Sequence, residues 1–446
     1  MTETAQASLP IAPRPRVVVI GGGFAGVQVA QGLADAAVEV VLVERRNFTL
    51  FQPLLYQVAT GLLSPANIAT PLRPLFRSES LVRVVLDEAV GFDPQRHVVH
   101  LRGSSETGGE SAELTYDTLV VASGSRHHYF GHPEWEAHAP GLKTLEDAEA
   151  IRSRIFSALE RAELTNDPVE RERLLTFVVA GGGPTSVELA GALAEITRHT
   201  TRSEFRSIDP RTARIILVEA AERLLGGFAP ASSAETERAL RSLGVEVLLS
   251  SRITGVDGQG VTLSAAAGSR SIVAATVLWG AGVRASPLGG LLATALGQTV
   301  DRSGRIVVEP DCTVPGHPEI FVLGDLAACT IAGRLLPGVA QVAIQQGQYV
   351  ARVIRARLSG LTLATFRYHD RGSMATIGRR LAVAEVGRLQ LRGRLAWLAW
   401  LALHLIKLMR FESRMLVLLQ WAWAYFTWNR SARLITGHDP DAHTTR

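Results

Sequence analysis

One arrangement occurs twice in this 446-residue chain and restricts its fold more than any other feature. Val17-Val18-Val19-Ile20 runs into Gly21-Gly22-Gly23-Phe24-Ala25-Gly26. A helical stretch to Ala34 follows, and Val38 to Val43 closes on Glu44. Further on, Phe177-Val178-Val179-Ala180 runs into Gly181-Gly182-Gly183-Pro184-Thr185-Ser186, then a long helical stretch, then Arg214 to Val218 closing on Glu219. Short apolar runs before glycine turns read as buried strands, and each copy reads as the opening of a doubly wound parallel sheet. The expected class is α/β, with two Rossmann-like dinucleotide-binding domains, the second inserted in the first, and a C-terminal helical segment that associates with a membrane. The expected boundaries are 14–130 and 291–370 for the first domain, 131–290 for the second and 371–446 for the C-terminal segment.

The loops carry a chemistry as well as a fold. In Gly21-x-Gly23-x-x-Gly26 one glycine makes the turn, one admits a pyrophosphate against the backbone, and one lets helix pack on strand. The helix N-terminus then offers free N–H groups and a positive dipole end to the phosphates. Glu44 stands 23 residues after Gly21, where a carboxylate bonds a ribose hydroxyl. In the second loop Ser186 replaces the third glycine, and Glu219 lies 38 residues beyond Gly181. The polar stretch Arg198 to Arg211 reads as an insertion that accounts for the interval. A carboxylate at Glu219 favours an unphosphorylated ribose, hence NADH over NADPH, with Arg223 nearby as the residue that would argue otherwise. Two dinucleotide sites in one chain suit NADH at one and FAD at the other.

Composition matters most at the C-terminus. Leu395 to Met409 and Met415 to Trp428 are almost wholly apolar, separated by the charged patch Arg410-Phe411-Glu412-Ser413-Arg414. Neither reaches the roughly 20 residues that span a bilayer as a helix. Five of the seven tryptophans lie here, among Arg388, Arg392, Arg394, Lys407, Arg410, Arg414, Arg430 and Arg433. Indoles favour the headgroup zone and basic side chains favour anionic lipid, so two short helices lying in the membrane interface are expected. Packing as a dimer-forming pair is compatible with that. Removing the residues after about Gly387 is expected to release the folded body from membranes.

Other readings are excluded by the same arithmetic. Lys+Arg 46 against Asp+Glu 42 leaves only +4, and the tail arginines interleave with tryptophans rather than forming an exposed basic stripe, so no nucleic acid is expected. The polar start from Met1 to Arg16 has no apolar run long enough for a signal peptide, which points to a reducing cytoplasm. Cys312 and Cys329, the only two cysteines, make neither a disulfide scaffold nor a CxxC motif, and no metal set is expected.

From about Pro15 to Trp428 the chain resembles the type II NADH dehydrogenases, single-subunit NADH:quinone oxidoreductases that pump no protons. The motifs shared with the wider two-dinucleotide flavoprotein superfamily are Gly21 to Gly26, Leu119 to Ser125 and Gly324-Asp325. Closer to the family are Phe51 to Gly61, Gly181 to Glu188 and Ala340 to Gln346. The resemblance implies FAD, held non-covalently by Gly21, Gly23, Phe24, Ala25, Gly26, Glu44, Val90, Ala122, Ser123, Gly124, Gly324, Asp325 and Gln341, with Asp325 on the ribityl chain. It implies NADH as substrate on Gly181, Gly183, Pro184, Thr185, Glu188, Glu219 and Gly282. A membrane quinone, menaquinone or ubiquinone, is implied at Gln341, Gln345, Gln346, Ile377 and Gly378, with Phe366, Tyr368 and Gly372 to Ala375 beside them.

Glu188, Gln341 and Gln345 are the catalytic candidates. Glu188 falls one turn inside the helix after the second loop, where burial would raise its pKa. Gln341 and Gln345 are four apart on one helical face, and their amides can bond a quinone carbonyl without carrying charge. The expected reaction passes a hydride from NADH to the flavin and two electrons, with protons, to the quinone. Homodimers and peripheral attachment to the cytoplasmic face of the inner (plasma) membrane follow from the resemblance. The competing readings are a sulfide:quinone oxidoreductase, which needs cysteines near the flavin, and an NADH-sensing flavoprotein that binds nucleic acid.

Overall fold

A computed structural model describes residues 14–103, 111–202, 204–265 and 268–436. The polar start before residue 14 and most of the turn-rich stretch from Gly103 to Ser111 lie outside the described residues. Two compact units are formed, each from three pieces of chain: 14–49, 71–125 and 284–369 in the first, and 50–70, 126–283 and 370–436 in the second.

The first unit is built on a six-stranded sheet in the order Thr313–Val314, His317–Val322, Thr118–Val121, Arg16–Ile20, Glu39–Glu44 and Val82–Leu86. All neighbours are parallel except the Thr313–Val314 edge. Val17 to Ile20 is buried throughout, the pattern of a parallel strand covered on both faces. The helix Phe24–Leu33 runs back along the sheet and packs on the helix Ala340–Leu358. That approach is close: a Cβ at Gly347 would lie 2.4 Å from the Ala25 carbonyl oxygen. The stretch from Leu81 to Phe92 divides between two sheets. Val82–Leu86 joins the parallel sheet, and Ala89–Asp93 begins a separate antiparallel one with Val98–Leu101 and Ala112–Thr115. Asp87 makes the break by accepting the Glu88 N–H at 2.7 Å.

The second unit repeats the plan with four parallel strands in the order Val245–Leu248, Arg214–Val218, Thr176–Ala180 and Thr276–Trp279. The helix Leu145–Leu164 starts at a capping box. Thr144 Oγ1 accepts the Asp147 N–H at 3.1 Å, and Asp147 Oδ2 accepts the Thr144 N–H at 2.8 Å. The interval before Glu219 is filled as expected. The helix Pro184–Glu195 ends in the π-turn Ile196–Thr200, and an irregular path leads to Arg214. Glu163 holds that path by accepting the backbone N–H groups of Arg206, Ser207 and Ile208 at 2.8, 2.9 and 3.1 Å.

Two chain segments join this unit against the boundaries expected from sequence. Residues 50–70 bury Leu54, Leu55 and Val58, and their short helix Leu55–Ala59 lies on Leu145–Leu164. Residues 370–436 add the strands Ser373–Gly378, Leu381–Val386 and Leu389–Arg392, then the helices Gly393–Lys407 and Phe411–Thr427. The charged patch expected between those helices is mostly helical. Phe411 to Arg414 form the first turn, where Glu412 suits the positive end of the dipole. The break is only Leu408 to Arg410. After Trp428, in left-handed conformation at φ +60°, the chain straps back over the unit. Arg152 donates to the Leu434 carbonyl and to Thr436 Oγ1, at 2.8 and 2.9 Å, and the Ala432 N–H donates to the Gly61 carbonyl at 3.1 Å. Among the described residues no helix is long and apolar enough to cross a membrane.

Candidate functional site

The first glycine loop is a cradle made of backbone. Gly21 has φ +103°, and a Cβ there would lie 2.5 Å from the Ala122 carbonyl oxygen. A Cβ at Gly26 would lie 1.8 Å from the Gly21 carbonyl oxygen, so helix and loop touch. Above Gly23 nothing lies within 4 Å of such a Cβ, which is the approach a pyrophosphate needs. No side chain caps the helix that follows, leaving its first N–H groups directed at that space. Glu44 ends its strand as expected, with Oε2 accepting the Gly22 N–H at 2.6 Å. The Ser123 hydroxyl is buried and has no protein partner, and Gly124 follows it with φ +69°. Ser125 Oγ donates to Asp325 Oδ2 at 2.6 Å, tying together the turns that follow two neighbouring parallel strands. An open glycine, an orphaned hydroxyl and a strand-end carboxylate are what a bound dinucleotide flavin requires, and these residues fit FAD. Val90, 38% exposed on its antiparallel strand, is the outlying member of the expected set.

The second loop has the same frame and different details. Gly183 is open above, like Gly23, and Pro184 starts the helix at a position that needs no N–H partner. Ser186, at the third-glycine position, is fully buried and donates to the Ala180 carbonyl at 3.0 Å. Thr185 stands beside it in the first turn, and Gly282 (φ +79°) closes the next strand against the Phe130 ring. Glu219 Oε1 accepts the Ala221 N–H at 2.6 Å. Its other oxygen would meet a Cβ on Gly182 at 2.7 Å. Arg223, the residue that could have received a 2′-phosphate, is tied down. Nη1 donates to the Phe228 carbonyl and to Ser233 Oγ, and Nη2 donates to the Gly226 carbonyl, at 2.7, 3.0 and 2.7 Å.

The helix that leaves the second loop delivers Glu188 to a cavity of about 600 Å³ within the second unit. Its walls are mostly apolar, with Trp397, Trp400, Leu401 and Trp421 from the terminal helices and Ile377 and Gly378 from the strand below. The helix lies very close to that strand, and a Cβ at Gly191 would reach within 1.6 Å of the Ile377 carbonyl oxygen. The cavity's polar groups include Tyr56, Gln57, Glu188, Glu195, Arg379 and Arg430. Burial pushes the Glu188 carboxyl up to about 8, against the pull of the Thr376 N–H it accepts. The Tyr56 hydroxyl is driven well above its usual range, first by burial and then by the charge of Glu188. Gln57 donates to Tyr56 Oη at 2.8 Å and accepts the Trp421 indole N–H at 2.7 Å. At the far end Glu195 pairs with Arg430 at 2.9 Å.

Sequence reasoning placed Glu188, Ile377 and Gly378 at a site, and the structure brings those three to one cavity. It missed Tyr56, Gln57, Glu195 and Arg430. A signal for Glu195 existed, since it lies seven residues after Glu188 and therefore on the same helical face.

Of the three glutamines expected to face substrate, Gln345 and Gln346 instead bond the backbone. Gln341 is half-buried in the first turn of Ala340–Leu358. Gln345 is buried, and both ends of its amide bond the backbone of His369. Nε2 donates to the carbonyl at 2.9 Å, and Oε1 accepts the N–H at 3.0 Å. Gln346 is fully buried, and its Oε1 accepts the Gly324 N–H at 2.8 Å, bracing the Gly324-Asp325 turn. Spacing alone cannot distinguish an amide aimed at a ligand from one that closes a loop. Cys312 and Cys329, far apart in sequence, meet each other and the Gln346 amide, and the contact with Cys329 followed by burial pushes the Cys312 thiol up. The same contact lowers the Cys329 thiol, but both sulfurs are buried, whereas an attacking thiol needs access. Among the described residues no group of His, Cys, Asp and Glu is arranged to hold a metal ion.

Comparison with known proteins agrees with this geometry. The profile of the pyridine nucleotide-disulphide oxidoreductases matches residues 15–347. The type II NADH:quinone oxidoreductase NdhA of Mycobacterium tuberculosis is 43% identical over 429 residues, covering 95% of this chain and 90% of NdhA. Its paralogue Ndh from the same organism is 42% identical over 435 residues, 97% of this chain and 92% of Ndh. In fold, the chain matches the structure of NDH2 from Plasmodium falciparum in complex with NADH, with a TM-score of 0.86 at 18% identity, over 95% of this chain and 100% of that one. Two glycine-loop sheets, a carboxyl-lined apolar cavity and these identities lead to one assignment: the chain belongs to the type II NADH:quinone oxidoreductases, within the pyridine nucleotide-disulphide oxidoreductases.

Proposed function

We propose that this protein oxidises NADH and reduces a membrane quinone by two electrons, without pumping protons. One observation carries the reading: the helix that begins at the NADH loop bears, one turn in, the carboxyl that lines the apolar cavity. FAD, when bound, supplies a centre that accepts two electrons as hydride and returns two to a quinone. In the first unit the N–H groups after Gly23, those of Phe24, Ala25 and Gly26 among them, hold its pyrophosphate. Glu44 takes the ribose, Ser123, Gly124 and Asp325 take the flavin end, and Val90 and Gln341 complete the set.

In the second unit the N–H groups around Gly183, Pro184 and Thr185 hold the NADH pyrophosphate. Glu219 receives the ribose hydroxyls, and a 2′-phosphate would meet its negative charge. Because Arg223 has its guanidinium turned to the Phe228 and Gly226 carbonyls and not free to clasp that phosphate, NADH is the substrate preferred over NADPH.

The cavity suits a quinone. Its tryptophans and leucines exclude water from an apolar ring and tail. Glu188 holds its proton at neutral pH and can give it to a quinone oxygen, while Ile377 and Gly378 shape the floor. The terminal helices expose Leu395, Ile406, Phe411, Leu419, Trp423 and Phe426, the last 80% accessible, and on this face we place the lipid surface. Attachment on the cytoplasmic side of the plasma membrane and pairing of two copies through the C-terminal segment complete the proposal. Sedimentation with liposomes and light scattering in detergent test these last two points.

The central test is the purified protein with bound FAD, given NADH and a short-chain menaquinone or ubiquinone analogue. Stoichiometric quinol formation is expected. NADH oxidation that produces no quinol would overturn the reading.

A further inference from the structure

Reducing a quinone to a quinol takes two electrons and two protons, and the hydride of NADH supplies two electrons and one proton. The balance is NADH + H⁺ + quinone → NAD⁺ + quinol, so each turnover draws one proton from water. Most of the cavity wall is aliphatic or aromatic, and such a wall conducts no proton. The helix Pro184–Glu195 brings two carboxyls to that wall, beside Tyr56, Gln57 and Arg379 from other segments. Glu188, Ala192 and Glu195 share a face and all line the cavity. Seven residues place Glu195 about 10 Å further along the axis, at the cavity's other end.

Glu195 differs from Glu188 in its surroundings. Its carboxylate pairs with Arg430 at 2.9 Å, with side-chain exposures of 13% and 7%. It also accepts the backbone N–H of Arg379. Arg430 is held from its other side by Thr60, whose Oγ1 accepts at 3.0 Å. Around this pair the charged and titratable groups are Arg379, Arg433, His199, Tyr56 and Glu188. Arg430 lines a second cavity as well, of about 540 Å³, whose walls include Glu160, Thr201, Glu204, Asn429 and Arg433. That cavity is polar enough to hold water, each molecule having several partners. The Glu195–Arg430 pair thus stands between a polar chamber and the apolar one.

Building on the assignment of the larger cavity to quinone, we infer that Glu195 is the proton relay between the two cavities, held by Arg430 and recharging Glu188. When Glu188 has protonated a quinone oxygen, it is left as a carboxylate. Glu195 takes a proton from water on the side of the second cavity and passes it, through water along the Ala192 face, to Glu188. No electrons move in this step. Arg430 keeps its proton throughout and acts as a positioning residue.

The test uses full-length, flavin-loaded protein and two acceptors: a short-chain quinone, whose reduction takes up protons, and ferricyanide, whose reduction does not. Glu195→Gln is expected to lower quinone kcat about tenfold relative to the ferricyanide rate of the same preparation, a modest share of what a general acid contributes. The deficit should widen as pH rises, the quinone KM should move less than twofold, and Glu195→Asp should restore part of the rate.

Because Glu195→Gln leaves Arg430 buried without its partner, the double variant Glu195→Gln/Arg430→Gln separates the two roles. A relay predicts that quinone turnover stays slow, whereas a structural ion pair predicts recovery. Ser431→Trp, on the exposed strap at the second cavity, leaves the pair intact and is expected to slow quinone turnover selectively. Recovery in the double variant, or an unaltered ratio of quinone to ferricyanide rates in the Glu195 and Ser431 variants, overturns the relay. Ala422→Trp reports on the underlying assignment, because a filled cavity must raise quinone KM. If it does not, the quinone site itself is wrong.

Discussion

The two glycine loops begin as copies and end doing different work. Each has a buried strand, a turn whose middle glycine stands open, and an acid closing the next strand. In the first, Glu44 clamps back on the loop through the Gly22 N–H, and the helix packs on another helix by way of small residues. In the second, Glu219 bonds its own following turn at Ala221, and the helix runs under a cavity carrying two carboxyls on one face. A repeat in sequence therefore establishes a shared cradle for a dinucleotide. The helix face beyond the loop determines what else the cradle serves.

The sharpest way to break the comparison is at the third-glycine position. Gly26→Val puts side-chain atoms into the Gly21 carbonyl, already 1.8 Å from a Cβ, and is expected to abolish retained flavin, read from the visible spectrum after gel filtration. Ser186→Gly in the second loop removes one hydrogen bond, worth about 1 kcal/mol. It should lower Tm slightly and raise the NADH KM no more than a few-fold.

Next in size is Glu188→Gln. Its carboxyl titrates at about 8, above its value in an unfolded chain, so in the parent quinone turnover should fall as pH rises through about 8. The glutamine variant should be about 100-fold slower with that limb of the profile gone. Stability carries the same sign. The folded protein binds this proton more tightly than the unfolded chain, so the parent loses stability between the usual carboxylate range and about 8 as pH rises. Denaturant melts at pH 6 and 9 should show that loss reduced in Glu188→Gln.

A smaller effect is expected at Glu219→Gln. Lost ribose bonding should reduce kcat/KM for NADH about tenfold, roughly the value of one charge-assisted hydrogen bond. NADPH should gain little, because Arg223 stays bonded to Gly226 and Phe228. Smallest is Gln345→Leu, which removes both bonds to His369 and should lower stability by about 1–3 kcal/mol. If it instead abolishes quinone turnover in a fully folded protein, the amide's bracing role is wrong.

What could be read from the sequence was local. Strand, turn, helix and acid follow one another within 30 residues in the first loop, and Thr144 and Asp147 are three apart, so chain neighbours carried the signal. The cavity is built otherwise. Trp421 bonds Gln57 across 364 residues, and Arg430 reaches Glu195 across 235. No spacing rule links such partners, because they meet only after residues 50–70 and the tail have folded onto the same unit. Gln345 shows the converse limit. Its position on the helix was legible, but its bonding to His369 depends on a loop that returns 24 residues later.

The tail that exposes Leu395 and Leu419 also supplies Trp397, Trp400, Trp421 and Arg430 to the apolar cavity, and Arg152 pins it at Leu434 and Thr436. Cutting the chain after Gly387 would therefore not yield a soluble quinone reductase. It would leave a diaphorase, competent with small dyes in the aqueous phase and deprived of the tail side of its larger cavity. On the proposed lipid attachment, release from the bilayer and quinone turnover depend on the same helices, so an engineered release has to repaint their outer face and spare the inner one.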